Sequence, residues 1–186
     1  MFMSRRAWIL TVIVLAAAAA VLLAMGRNPI CTCGTIDLWV GERDSARTSQ
    51  MLADWYSFSH IVHGLLFYAA LWLIARRWPV DHRFLGALLI EAAWEMLENT
   101  PMVIDRYRAT TAALGYTGDS VLNSLSDILM MALGFLAARK LPVWAAVALL
   151  VALELIPLFV IRDNLFLNVW TLLSPNAAVQ AWQAGG

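Results

Sequence analysis

The residues in this chain that could do chemistry are carboxylates and imidazoles set inside apolar helix patterns. The stretch Leu89 to Asn99, LIEAAWEMLEN, carries Glu91, Glu95 and Glu98 at i, i+4 and i+7, so all three leave one helix face. SHIVHG supplies His60 and His63 at i, i+3, and GDSVLNSLSD supplies Asp119, Asn123 and Asp127 at successive i+4 steps. Imidazole nitrogens and carboxylate oxygens are ligands for first-row transition metals. His60, His63 and Glu95 form a candidate metal set, and the cofactor implied is a divalent metal that could activate water against a phosphoryl or acyl bond. Glu95, Glu98 and Asp127 are candidate catalytic acid–base groups. Arg106 and Arg108, beside the mouth of such a site, could hold a phosphate or lipid headgroup, and Asp119 and Asn123 complete a candidate substrate-binding set. HxxH lacks the i, i+4 geometry of a zinc-protease helix, and no His-Glu-x-x-His run occurs.

Two other readings stay open beside metal or acid–base chemistry. Polar side chains commonly hydrogen-bond across membrane helices, so the same residues could simply lock the bundle. They could also line a path for an ion or proton. Glu91 and Glu154 read as deeper and more isolated, which suits structural pairing or protonation.

The elements that position these residues follow from composition. With 186 residues, 61% hydrophobic and 14% charged, and a mean hydropathy of +0.70, the chain is too apolar for an ordinary soluble domain. Thirteen basic residues balance thirteen acidic ones, so no nucleic-acid partner is expected. The expected class is all-α, an integral membrane bundle of five transmembrane helices with a sixth left open, forming a single multipass domain over residues 1–186. The spans read as 7–25, 55–75, 84–100, 120–138 and 143–161, each apolar and closed by Arg, Lys or Pro. An uncleaved anchor suits residues 7–25 better than a signal peptide, whose apolar core is usually about 7–15 residues. Residues 27–54 form the longest polar stretch and read as an outer loop. Met102 to Gly118 reads as a mixed loop, and 165–186 as an interfacial or re-entrant tail.

The only cysteines, Cys31 and Cys33, are one residue apart. A mutual disulfide at that spacing would be strained, so free or intermolecularly bridged thiols are expected, with a metal or redox role as the rival. Basic clusters at Arg5, Arg6, Arg76, Arg77, Arg83, Arg139 and Lys140 place the N-terminus in the cytoplasm. In that orientation His60, His63, Glu95, Glu98, Asp119, Asn123 and Asp127 fall at one depth in the outer half of the membrane.

The strings ADWYSFSHIVHG, ALGYTGDSVLNSLSD, LPVWAAVAL and IRDNLFLN resemble those of a bacterial family of multipass membrane proteins of unknown function, the UPF0314 family. The likeness runs from CTCG to QAWQAGG and implies an inner-membrane location. A weaker likeness is to VanZ-type membrane proteins, which set a His in one helix, a Glu in the next, and an Asp and Asn before a Gly-containing helix. His60 or His63, Glu95, Asp119, Asn123 and Gly134 occupy those places, while the extra glutamates and the CTCG loop depart from the pattern. The expected partners are membrane lipids and a lipid-linked substrate approached from the outer side. A non-catalytic envelope protein with a packing cluster is the alternative.

Overall fold

The computed structural model describes residues 3–111 and 115–185. Among them are eight α-helices and no strand: α1 Arg5–Ala24, α2 Ser57–Ile74, α3 Val80–Glu98, α4 Pro101–Thr110, α5 Val121–Lys140, α6 Val143–Ile161, α7 Leu165–Leu173 and α8 Ala177–Gln183. Four of these, α1, α2, α5 and α6, are long and apolar enough to cross a membrane. α3 is of similar length but more polar, because it carries the glutamates, and it packs against α1, α2 and α5.

Helix boundaries follow local chemistry. The Ser4 and Ser120 hydroxyls accept backbone N–H bonds from Ala7 and Asn123, opening α1 and α5, and Asn164 accepts from Leu167 to open α7. The segment expected to be a loop from Met102 is helical up to Thr110. Pro101 ends α3, yet at the first position of a new helix its missing N–H costs nothing and its φ is already helical. Residues 112–114 of that expected loop lie outside the described residues.

The long helices alternate in direction, and contacts between their ends show which termini share a side. The Ser4 backbone N–H donates to Asp81 at 3.3 Å, placing the start of α1 beside the start of α3. At the opposite end, the N–H groups of Val121 and Leu122 donate to Asn28 and Pro29, so the chain leaving α1 meets the start of α5. Arg43 of the long loop donates to the carbonyls of Ile161 and Gln183, at 3.0 Å each, and ties that loop to the end of α6 and to α8. The loop 27–56 thus closes one end of the bundle, while Arg76, Arg77, Arg139 and Lys140 gather at the other.

α2 and α5 make the tightest pairing. A Cβ on Gly64 would strike the Met131 carbonyl, and one on Gly134 would strike the Ile61 carbonyl, so these two glycines let the backbones touch. Below the polar residues, Ala18, Phe84, Leu88, Ile128, Met131 and Phe135 form a buried core between α1, α3 and α5. The outer faces of α1 and α6 remain apolar and bare: Trp144 is 76% exposed and Phe159 80%. Such faces are stable in hydrocarbon and not in water.

Cys31 and Cys33 are joined in a disulfide, where free or intermolecularly bridged thiols were expected from their spacing. The Gly34 N–H donates to the Cys31 carbonyl in a tight turn, with Gly34 at φ +77°. This brings the two Cα atoms to 5.2 Å, within the bridging range of about 4.4–6.8 Å.

Candidate functional site

His60 and His63, one and two turns from the start of α2, face the carboxylates of α3. The His60 Nδ1 lies 2.6 Å from one oxygen of Glu91 and 3.4 Å from Glu95, and its Nε2 is 3.8 Å from Asp127. The His63 Nδ1 stands 3.1 Å from both oxygens of Glu91. Glu91, which the sequence suggested was isolated, is therefore the shared partner of both imidazoles. With Glu91 ionised it can only accept, and in that state each Nδ1 carries the hydrogen and each Nε2 is left to a ligand.

Glu95 differs. It is fully buried, and neither of its oxygens has a hydrogen-bond partner. One atom from each of His60, Glu95 and Glu98 lies within 4.8 Å of the others, and the same holds for His60, His63 and Glu91. The set therefore fits a cation: two oxygens without partners would be satisfied by one, and the donors are of the type divalent metals take.

The remaining expected residues separate into two groups. Asp127 faces His60 and accepts a 2.9 Å bond from the Ser57 hydroxyl. Asp119 accepts from the Asn99 amide at 2.8 Å and from the Tyr116 hydroxyl at 3.0 Å, and its backbone N–H returns a bond to Asn99. Burial pushes the Asp119 carboxyl above the usual range, against these stabilising hydrogen bonds. Asn123 turns away and donates to the Met51 carbonyl at 2.9 Å, holding the long loop against α5. Arg106 donates to the Leu172 carbonyl and Arg108 pairs with Asp105 at 3.7 Å; both are exposed, and neither lines the cavity described below. Glu154 accepts from the Phe166 N–H at 3.1 Å and so supports the start of α7.

A cavity of about 210 Å³ opens onto His60, His63, Glu98, Asp119 and Asp127. A larger polar vestibule of about 520 Å³ lies under the long loop, and the two share Ser49, Tyr56 and Tyr116. Several residues here were not singled out from sequence. Asn99 lies within the very stretch that carries the glutamates, two residues before Pro101, and caps the end of α3. Tyr107 bonds Glu98 and stacks edge-on against Tyr116, with ring centroids 5.4 Å apart. Asp54, whose carboxyl burial also pushes up, accepts from the Ser49 and Tyr56 N–H groups at the start of α2.

With this geometry in view, relatives place the chain. The family model described as "Protein of unknown function (DUF2585)" matches residues 22–185. The chain belongs to this family. Among similar curated proteins, a UPF0314 protein of Paracoccus denitrificans is 55% identical over 174 residues, covering 94% of this chain and 90% of that one. Another from Sphingopyxis alaskensis is 52% identical over 188 residues, covering 98% and 97%. UPF0314 protein R03235 of Rhizobium meliloti is 53% identical over 179 residues, covering 96% and 91%. No solved structure matches.

Proposed function

We propose that this UPF0314 protein is a membrane-embedded enzyme of the bacterial inner membrane that acts on a lipid-linked substrate, using a divalent cation held by His60, Glu95 and Glu98. In this reading α1, α2, α3, α5 and α6 cross the bilayer, the N-terminus is cytoplasmic, and the cavity opens to the outer side. The observation that carries it is Glu95, buried, with no hydrogen bond to either oxygen, and clustered with His60 and Glu98. A buried carboxylate that accepts no hydrogen bond inside a helix bundle costs several kcal/mol. A packing role would not require it, and a bound cation would offset it. Such a cation would supply an activated water or a polarised phosphoryl or acyl group. Glu91 orients both imidazoles through their Nδ1 hydrogens, as a carboxylate behind a metal-binding histidine does. Asp127, on the cavity wall beside His60, is placed to take or give a proton, with the Ser57 hydroxyl fixing its carboxyl.

The rival is a packing network, favoured by the Ser57–Asp127 and Asn99–Asp119 bonds, which join separate segments. Elemental analysis of detergent-purified protein separates the two. Stoichiometric divalent metal in the wild type, lost in Glu95→Gln and reduced in His60→Ala, supports the enzyme reading; wild-type protein that takes up no divalent metal even when it is supplied overturns it.

A further inference from the structure

The cavity is polar at one end and apolar at the other, and that gradient follows the membrane. Tyr56, Tyr116, Asp119 and Glu98 lie toward the loop end. Ile90 sits eight residues before Glu98 on α3, about 12 Å deeper, and Phe67 four residues beyond His63 on α2, about 6 Å deeper. The deeper walls are Phe67, Ile90 and Trp94 on one side and Leu165 and Val169 of α7 on the other. Ile90 is 47% exposed and Val169 40%, so this apolar end continues onto the outer surface of the bundle rather than closing inside it. α7 suits a membrane-facing wall: Phe166, Val169, Trp170 and Leu173 are exposed, while Asn168 and Thr171 are buried against the protein.

We infer that the gap between α2, α3 and α7 is a lateral portal holding an acyl chain of an outer-leaflet phospholipid with an amine-bearing headgroup, its amine reaching Asp119. An outer-leaflet lipid has its head at the interface and its chain pointing to the midplane, which is the order of polar and apolar residues along this cavity. The headgroup class follows from charge. Glu98, Asp119 and Asp127 line the cavity and, among the described residues, no Lys or Arg does; Arg27, in the adjoining vestibule, is tied to the Asp119 and Thr117 carbonyls, so a cationic amine is complementary to the cavity and an anionic head without one is not. With Glu98 given to the cation of the proposed function, Asp119 still faces the cavity beside the Tyr116 hydroxyl. The inference rests on that reading of the cluster as a lipid-handling site, but the two fail separately.

The test places the full chain in nanodiscs containing phosphatidylethanolamine with a diazirine on its acyl chain, and maps photo-crosslinks by mass spectrometry. A parallel arm uses phosphatidylglycerol carrying the same chain. Labelling of Phe67, Ile90, Trp94 or Val169 should exceed that in the phosphatidylglycerol arm about tenfold, and Val169→Trp should lower labelling of Phe67 and Trp94 by a similar factor. Leu66→Trp, on a bare face of α2, should leave it unchanged. Labelling confined to the outer faces of α1 and α6, equal labelling by the two lipids, or no effect of Val169→Trp would overturn the inference. Metal content read on the same samples keeps the failures apart: Val169→Trp should retain the metal, and Glu95→Gln should lose it while the portal still labels.

Discussion

Both carboxylate oxygens of Glu91 lie 3.1 Å from the Nδ1 of His63, and one of them is also 2.6 Å from the Nδ1 of His60. A single buried glutamate on α3 thus holds two imidazoles of α2. Removing one partner from a buried hydrogen-bonded set leaves the others uncompensated. Glu91→Ala should destabilise the protein by about 3–5 kcal/mol, and Glu91→Gln by less, about 1–3 kcal/mol, because an acceptor oxygen survives. Thermal unfolding in detergent reads both. Equal stability of Glu91→Ala and the wild type would mean the imidazoles do not depend on it.

The contact between α2 and α5 makes a steric prediction. A methyl on Gly64 would enter the Met131 carbonyl and the Phe135 backbone of the facing helix, where neither side can move without separating the helices. Gly64→Ala should cost about 1–3 kcal/mol. Gly86→Ala is the control: its new Cβ meets only Leu71 at 3.9 Å, so the helix-propensity gain of up to about 1 kcal/mol should appear as stabilisation. The two changes should move the unfolding midpoint in opposite directions.

Asp163, at the joint between α6 and α7, is fully buried and accepts from the Asn164 N–H, the Gln183 amide and the Tyr56 hydroxyl. Burial pushes its carboxyl from the ordinary 3.8 up to about 6, against those hydrogen bonds. Between these values the folded protein holds a proton that the unfolded chain releases. Its contribution is therefore most favourable below about pH 4 and is lost as pH rises to about 6, on the order of 3 kcal/mol in all. Unfolding midpoints across that window should fall with pH more steeply in wild type than in Asp163→Asn. Parallel profiles would remove Asp163 from the account, although Asp54 and Asp119, displaced in the same direction, keep some slope in both proteins.

Orientation can be tested at Cys31 and Cys33. With the loop end outside and the pair bridged, an impermeant thiol reagent applied to cells with a closed inner membrane should label the protein only after mild reduction. Labelling that also requires opening the inner membrane would reverse the orientation.

The depth at which His60, Glu95 and Asp127 meet was legible because helix direction alternates and the rise per residue is fixed. Which side chains touch was not, since rotation and tilt come from packing. From spacing Glu91 reads as isolated one turn below Glu95, yet it is the shared partner of both imidazoles. Asn123 shares a helix face with Asp127, but the chain at Met51 folds over the end of α5 and captures its amide. α4 was hidden because Pro101 both stops one helix and starts the next. Arg106 lies beside the mouth in sequence but on the outer side of α4 in space, bonded to Leu172. The Cys31–Cys33 bridge depends on a turn at Gly34 that spacing alone does not reveal.

In the proposed function Glu95 is a cation ligand and not a packing residue. Its most direct test is thermal unfolding of wild type and Glu95→Gln in detergent, each with supplied divalent metal and after chelation. A ligand bound at a hundred times its dissociation constant adds about 2.7 kcal/mol. Chelation should therefore lower the wild-type midpoint and leave Glu95→Gln unmoved, with the chelated variant at least as stable as chelated wild type because a buried charge is gone. A wild-type midpoint indifferent to metal, together with a Glu95→Gln variant that is less stable under both conditions, would contradict the account and leave the cluster as a packing network.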